Sequence, residues 1–334
     1  MTIHRHDSLR RRLLASGLGG LALASGLAGC REEVERPLTI AAHVWPGYEP
    51  LFMAQREAWL DAAQVQLLET RSATASLQAL AEGRVQGAAL TLDEVLKARA
   101  AGLPLAVVMV FDVSAGADMV VARPPLRELS DLKGRRIAFE QGALGELMLV
   151  LLLRAAGLQP GDVRSLPMTV DAQSEAWRLG LVDACISYDP VASQLIAAGG
   201  QVLFDSRQLP NTIVDVLALR REVLDRRGKA LRHLLAAHFR ALGHLNRNPQ
   251  DAAYRMARHL GLRADEVLRA FRGLLLPDAA NNRRLLGGRE PMLLARAREL
   301  AAVMASSGLL GKNEPLDGLI RADYLPRDRG AASP

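Results

Sequence analysis

Only two cysteines, Cys30 and Cys185, occur in the 334 residues. With Cys30 consumed at a processing site, Cys185 has no partner in the chain, so a disulfide framework is excluded. Its apolar setting, VDACISY, suits a small buried hydrophobe. The apolar run from Leu13 to Gly29 is Gly-rich and short of the roughly 20 residues a membrane span needs. No Lys/Arg block after Cys30 carries interleaved aromatics, so no nucleic-acid partner is implied; Arg220-Arg221 and Arg283-Arg284 read as solvated faces. Neither metal-ligand spacing nor a Ser/His/Asp arrangement is present, and no metal or cofactor is expected.

What is there begins with an export signal. A basic start, an apolar small-residue stretch and Leu27-Ala28-Gly29-Cys30 form a leader expected over residues 1–29. LAGC resembles a bacterial lipobox, which implies that Cys30 becomes a lipidated N-terminus and residues 30–36 a tether. The protein is then expected on the periplasmic side of the cell envelope, anchored in a membrane by its lipid. Arg10-Arg11-Arg12-Leu13-Leu14 leaves the export route open between the general and twin-arginine pathways. Loss of the leader removes four arginines against one aspartate, lowering the formal charge from +6 to about +3.

After the tether, strands and helices alternate: LTIAA, PLFMAQREAWLDA, VQLLE, SATASLQALAEG, VQGAAL, LDEVLKARAAG, PLAVVMVF. This order predicts an α/β fold on a parallel sheet. A second round follows DLKG, and EGRVQGAALT and LGLVDACISY match as helix end, Gly, Val and strand. Two similar lobes are the expected architecture. Gly83, Gly102, Gly157 and Gly180 each follow a helical pattern at a left-handed C-cap position. The first lobe is expected from residues 37–118 plus 222–334 and the second from 123–213, with a two-strand hinge at 119–122 and 214–221. The C-terminal half is mainly helical, and His233, His238, His244 and His259 are expected as partly exposed helix residues.

In parallel sheets, ligands bind beyond the carboxyl ends of the strands. Those ends carry His43, Trp45, Gly47 and Tyr48, then Thr91, Asp112, Gly142 with Ala143, and Tyr188 with Asp189. All are candidate ligand contacts in one cleft between the lobes. In a chain with 4% aromatics, the loop HVWPGYEP concentrates a Trp and a Tyr. Their rings could flank a ligand that Gly47 lets approach the backbone. Thr91-Leu-Asp-Glu94 reads as a capping box, and the helix starts at Thr91 and Gly142-Ala143 offer N–H donors. Asp189, before Pro190, reads equally as a helix cap.

WPGYEPLFMAQREAWL, ALTLDEVL, DLKGRRIAFEQGALG and the VDA before YDP, together with the lipobox, resemble the substrate-binding proteins of ABC importers in the nitrate, sulfonate, taurine and pyrimidine-precursor group. The resemblance spans roughly Pro37 to Leu319. It implies the type II periplasmic binding fold, two α/β lobes on a two-strand hinge, closing as a monomer on a small molecule and docking on an inner-membrane permease.

The ligand is not settled by the resemblance. Asp112, Asp118, Glu140, Asp189 and Asp215 fall near strand ends, and desolvated carboxylates would repel an anion. The expectation leans to an amino-bearing or pyrimidine-like ligand, with nitrate or sulfonate held by helix N-termini as the alternative. A pyrimidine-synthase-like enzyme would need a Lys beside a His, yet Lys97, Lys133, Lys229 and Lys312 lie outside the predicted cleft loops. A ligand sensor for a membrane receptor would use the same cleft.

Overall fold

The computed structural model describes residues 36–311 and 314–327. The expected leader, the expected lipidation site Cys30 and most of the expected tether lie outside these residues, as does Lys312. None of the described helices is long and apolar enough to cross a membrane.

The chain opens with β1 (Leu38–His43), whose apolar run is buried along nearly its whole length, as expected for a strand covered on both faces. The turn Pro46–Tyr48 leads into α1 (Glu49–Arg56), followed by β2 (Val65–Thr70), α2 (Ala73–Ala81), β3 (Gly87–Thr91), α3 (Leu92–Ala100) and β4 (Leu105–Ser114). The first helix was expected to continue beyond Trp59, but it ends at Arg56. Ala58 takes a φ of 54° and Trp59 N–H returns to the Ala54 carbonyl, a closure that turns Leu60 into the core.

Residues 115–118 cross to a second set of elements: β5 (Met119–Ala122), β6 (Arg136–Phe139), α4 (Leu144–Ala156), β7 (Arg164–Pro167), α5 (Val170–Arg178), β8 (Ala184–Ser187), α6 (Val191–Ala197) and β9 (Gln201–Asp205). Residues 206–213 return to β10 (Val214–Arg220). There follow α7 (Gly228–Arg247), α8 (Pro249–Leu260), α9 (Ala264–Ala270), the short β11 (Leu274–Leu275), α10 (Ala279–Leu286) and α11 (Met292–Ser306).

One sheet has the order β11-β4-β10-β3-β1-β2 and the other β7-β6-β8-β5-β9. Read from opposite ends, both contain the same arrangement. β1 with β2 corresponds to β6 with β7, and β3 corresponds to β8. The antiparallel β10 corresponds to β5, and β4 to β9. The two segments matched by sequence, EGRVQGAALT and LGLVDACISY, therefore supply equivalent central strands. The sheets are mixed, not parallel throughout, because β10 runs against β3 and β4 while β5 runs against β8 and β9. Strand-helix alternation predicts the parallel pairs, but strands reached directly at a lobe crossing need no helical return and can pair antiparallel.

The segments expected as the hinge, 119–122 and 214–221, run largely inside the sheets as β5 and β10. Between the sheets, the hydroxyls of Ser114 and Ser206 lie 2.7 Å apart. Gly116 N–H donates to the Ser206 hydroxyl and Asp118 N–H to that of Ser114. Two buried serines thus stitch the crossing segments together. The C-terminal portion packs on the first sheet, through β11 on β4 and a bridge from Val107 to Ile320.

The four predicted C-cap glycines all take positive φ, from 65° at Gly157 to 96° at Gly102. Cys185 is fully buried, and burial pushes its thiol up to about 12. One histidine departs from expectation. His238 lies in the core against Phe111 and Phe239, where burial lowers its pKa to about 3. It shares the buried face of α7 with Leu234, Leu235 and Ala241, whereas helical spacing alone predicts a partly exposed residue.

Candidate ligand-binding cleft

The carboxyl ends of β1, β3 and β4 and the amino end of β10 meet at one edge of the first sheet. Cross-strand register sets Thr91 opposite Asp215, and Asp215 opposite Asp112. At the facing edge of the second sheet, Met119 pairs with Ser187, so Asp118 and Tyr188 flank the same rim, with Glu140 just beyond β6. Between them lies a cavity lined by His43, Trp45, Thr91, Ala143 and Tyr188 from the predicted set. Ala73, Glu94, Asp118, Glu140, Leu144, Gly145, Met148, Val170, Ile186, Ser187 and Asp215 complete the lining. The cavity volume is about 30 Å³, far below the roughly 300–1,000 Å³ of pockets that hold a small-molecule ligand.

The other predicted residues have different surroundings. Tyr48 is buried behind the cavity between His43 and Phe111, and its hydroxyl donates to Asp215 Oδ1 at 2.5 Å. It orients a lining carboxylate and does not itself line the cavity. Gly47 faces Asp112: a Cβ there would stand 1.9 Å from Asp112 Oδ2 and 2.6 Å from Trp45 Nε1. Its missing side chain makes room for this pair, not for a ligand. Asp112 lies behind the wall, where its Oδ2 accepts from Trp45 Nε1 at 3.2 Å. Gly142 is exposed outside the cavity, and Asp189 accepts from Ser193 N–H at 2.9 Å in the first turn of α6. Periodicity marks strand ends but does not say which neighbouring loop residue turns inward.

The helix starts are also occupied. Thr91 N–H donates to Glu94 Oε2 at 2.9 Å, as the capping box predicted, while the Thr91 hydroxyl donates to Asp93 Oδ1 at 2.7 Å. Glu94 Oε1 accepts from Leu144 N–H, the first residue of α4 in the opposite lobe, at 3.1 Å. In return Glu140 Oε1 accepts from the backbone and hydroxyl of Thr74, in the first turn of α2, at 2.9 and 2.6 Å. Gly145 packs against Glu140: a Cβ there would lie 2.6 Å from Glu140 N. The pattern QGALGEL suggested Gly142 as the important glycine, whereas Gly145 has the close contact.

The electrostatics are one-sided. Burial holds Asp112 and Asp118 up at about 7, and burial with the neighbouring Asp93 holds Glu94 up at about 8. Asp215 is pushed well above the usual carboxylate range, by burial and then by Asp112 and Asp118. Burial lowers His43 to about 4, so its imidazole is neutral. Among the described residues, no Lys or Arg lines the cavity. Three buried lining atoms lack a hydrogen-bond partner: His43 Nδ1, Asp118 Oδ2 and Ser187 Oγ. Buried polar atoms are rarely left unmatched unless something else binds them. Among the described residues, no group of His, Cys, Asp or Glu has metal-binding geometry.

The sequence profile of the NMT1-like family matches residues 31–261. A protein of Escherichia coli (strain K12) named for binding aliphatic sulfonates is 29% identical over 173 residues, covering 51% of this chain and 54% of that protein. The taurine-binding periplasmic protein of the same strain is 27% identical over 164 residues, covering 48% and 51%. The chain thus matches about half the length of these curated relatives. The alkanesulfonate-binding protein SsuA from Xanthomonas axonopodis pv. citri, solved bound to MOPS, superposes with a TM-score of 0.72 at 20% identity, covering 86% of this chain and 99% of that one. The desulfurization enzyme DSZB superposes with a TM-score of 0.61 at 18% identity over 86% and 97%. At such identities the likeness establishes the fold, that of periplasmic binding proteins, which carries both binding and enzymatic functions.

Proposed function

The chain belongs to the NMT1-like family, and we propose that it is the substrate-binding component of an importer, capturing a small cationic or amino-bearing molecule in the cleft and delivering it to a membrane permease. The observation that carries this reading is the cavity lining: Glu94, Asp118, Glu140 and Asp215, with no lysine or arginine among them. A cation would replace the protons that burial favours on Glu94, Asp118 and Asp215. The unpartnered Asp118 Oδ2 accepts an N–H, while Ser187 Oγ and His43 Nδ1 supply further polar contacts. Trp45 and Tyr188, edge to face at 5.2 Å, present apolar surface for a ring or a short chain.

A ring-sized ligand exceeds the present cavity, so capture requires the lobes to part and close again. We place the flexing at 115–118 and 206–213, the segments that pass between the sheets. Each lobe brings part of the ligand shell, and closure is favoured when the ligand satisfies both parts. Catalysis has less support, because Lys97, which reaches the Ala143 carbonyl, is engaged with Glu146 at 2.9 Å and does not line the cavity. We further propose that Cys30 is lipidated and holds the protein at the periplasmic face of a membrane. Cys30→Ala should then release it from the membrane fraction.

The principal test is a thermal-shift screen of the purified protein at pH 8 with amines, aminopyrimidines, alkanesulfonates, taurine and nitrate. A ligand at a hundredfold its dissociation constant adds about 2.7 kcal/mol of stability. The expected result is a rise with amines or aminopyrimidines. A rise confined to sulfonates or nitrate overturns the cationic reading in favour of the ligands for which the E. coli relatives are named.

A further inference from the structure

Helix N-termini attract anions because their first N–H groups lack intrahelical partners and the helix dipole is positive there. Two such starts reach this cavity, one from each lobe: Ala73 begins α2 and Leu144 begins α4, and both residues line the wall. Each start is already filled by a carboxylate from the opposite lobe. Glu140, beyond β6, takes the backbone and hydroxyl of Thr74, and Glu94, on α3, takes the backbone of Leu144. The exchange is reciprocal and crosses the cleft in both directions. Lys97 adds a third crossing on the same side, to Glu146.

We propose that Glu94 and Glu140 are specificity-determining residues that act as built-in anions. Each occupies, on closure, the helix start where an oxyanion ligand would otherwise sit. This rests on the cleft being the ligand site, and it deepens that reading by naming the residues that exclude anions. The exclusion operates in two ways. The glutamate oxygens take the N–H donors whether or not they are ionised, and a glutamate that is ionised also opposes a second anion nearby. In an open form, where Glu140 has withdrawn from Thr74 and Glu94 from Leu144, an oxyanion could reach either start. It would then hold the seat that the glutamate needs and so work against closure. An amino-bearing ligand leaves both seats to the glutamates and is compatible with the closed form.

Isothermal titration of the full chain with ethanesulfonate tests this, comparing wild type with Glu140→Ala, Glu94→Ala and Glu140→Gln, each checked for folding by circular dichroism. Wild type should bind ethanesulfonate only weakly. Each alanine variant should gain roughly tenfold to hundredfold in affinity, the range for a hydrogen bond to a charged group. Glu140→Gln retains an acceptor for Thr74 and should gain less than Glu140→Ala. Saturable ethanesulfonate binding by wild type that leaves the lobes closed in small-angle scattering would overturn the proposal. So would folded alanine variants that gain nothing, or equal gains for Gln and Ala. If Glu94→Ala fails to fold because its cap is lost, the Glu140 pair of variants decides. Wild-type titration with 4-aminopyrimidine is read separately: its failure tells against the cationic reading, whereas the ethanesulfonate series tells against the built-in anions alone.

Discussion

Buried carboxylates occur in two kinds of place in this molecule, and they are treated differently. Glu49 at the start of α1 is wholly buried, and it is met by Arg56 at 2.9 Å and by His259, which also reaches Glu69 at 3.0 Å. Glu314 is likewise met by Arg99 at 2.7 Å, with both side chains 6% exposed. In the cleft, Asp112, Asp118 and Asp215 are as deeply buried yet face one another, a tyrosine hydroxyl and an indole N–H. At Glu49 and Glu314 the fold supplies a cation to the buried carboxylate. Isolated buried charge is costly, so carboxylates gathered without cations shift upward and hold protons, and such a cluster in a cleft supports the cationic ligand proposed above.

The comparison breaks most readily at Arg99, which also donates to the Leu105, Pro315 and Asp317 carbonyls. Arg99→Ala leaves Glu314 buried and unpaired and should cost about 3–5 kcal/mol in urea unfolding. Comparable loss of stability on removing a cleft carboxylate would erase the distinction. Asp118→Asn should act in the opposite direction on the ligand-free protein, raising its melting temperature because a strained buried acid has been neutralised. The same substitution should weaken a cationic ligand by about tenfold to hundredfold in calorimetry.

The proton balance sharpens the contrast further. The folded-state pKa values of Asp112, Asp118 and Glu94 are raised to about 7, 7 and 8. For acids shifted upward, the associated stability is present below the unfolded carboxylate range, near 4. It is then lost as pH rises through 7 to 8. Ligand-free protein should therefore unfold more easily at pH 8 than at pH 5. Cation affinity should change the other way, strengthening by about tenfold for each pH unit over which one proton is released on binding. Calorimetry in buffers of different ionisation enthalpy counts those protons, and affinity independent of pH from 6 to 8 would contradict the assignment. The smallest effect belongs to Tyr48→Phe. Removing one hydroxyl from Asp215 should cost about 1 kcal/mol of stability, with ligand affinity changed by only a few fold. Abolished binding with unchanged melting would place Tyr48 in the ligand shell after all.

Much of the fold was legible in the sequence. Apolar strands alternating with capped helices located β1 to β4 and β6 to β8, and the repeated Gly-x-Val-strand pattern identified the two lobes. These features are local: a period of side chains, a Gly at a helix end, a Thr three residues before a Glu. The strand-end rule also brought His43, Trp45, Thr91, Ala143 and Tyr188 to one cavity. Tyr48, Gly47, Asp112, Gly142 and Asp189, named by the same rule, do not line that cavity, because inward and outward residues of a short loop carry the same composition. Asp118, Glu140 and Asp215 were noticed as acids near strand ends, but their shared wall depends on register between β10 and its neighbours and on two lobe crossings. What the sequence determined by itself was therefore the order of elements, their caps and their duplication, since these are settled within a few residues of chain. Only the tertiary structure decided that Glu94 and Glu140 exchange helix starts across the cleft and that, among the described residues, no Lys or Arg lines the cavity beside them. Contacts between residues 50 and 66 positions apart leave no mark on local periodicity, and a missing partner can be recognised only once every neighbour is in place.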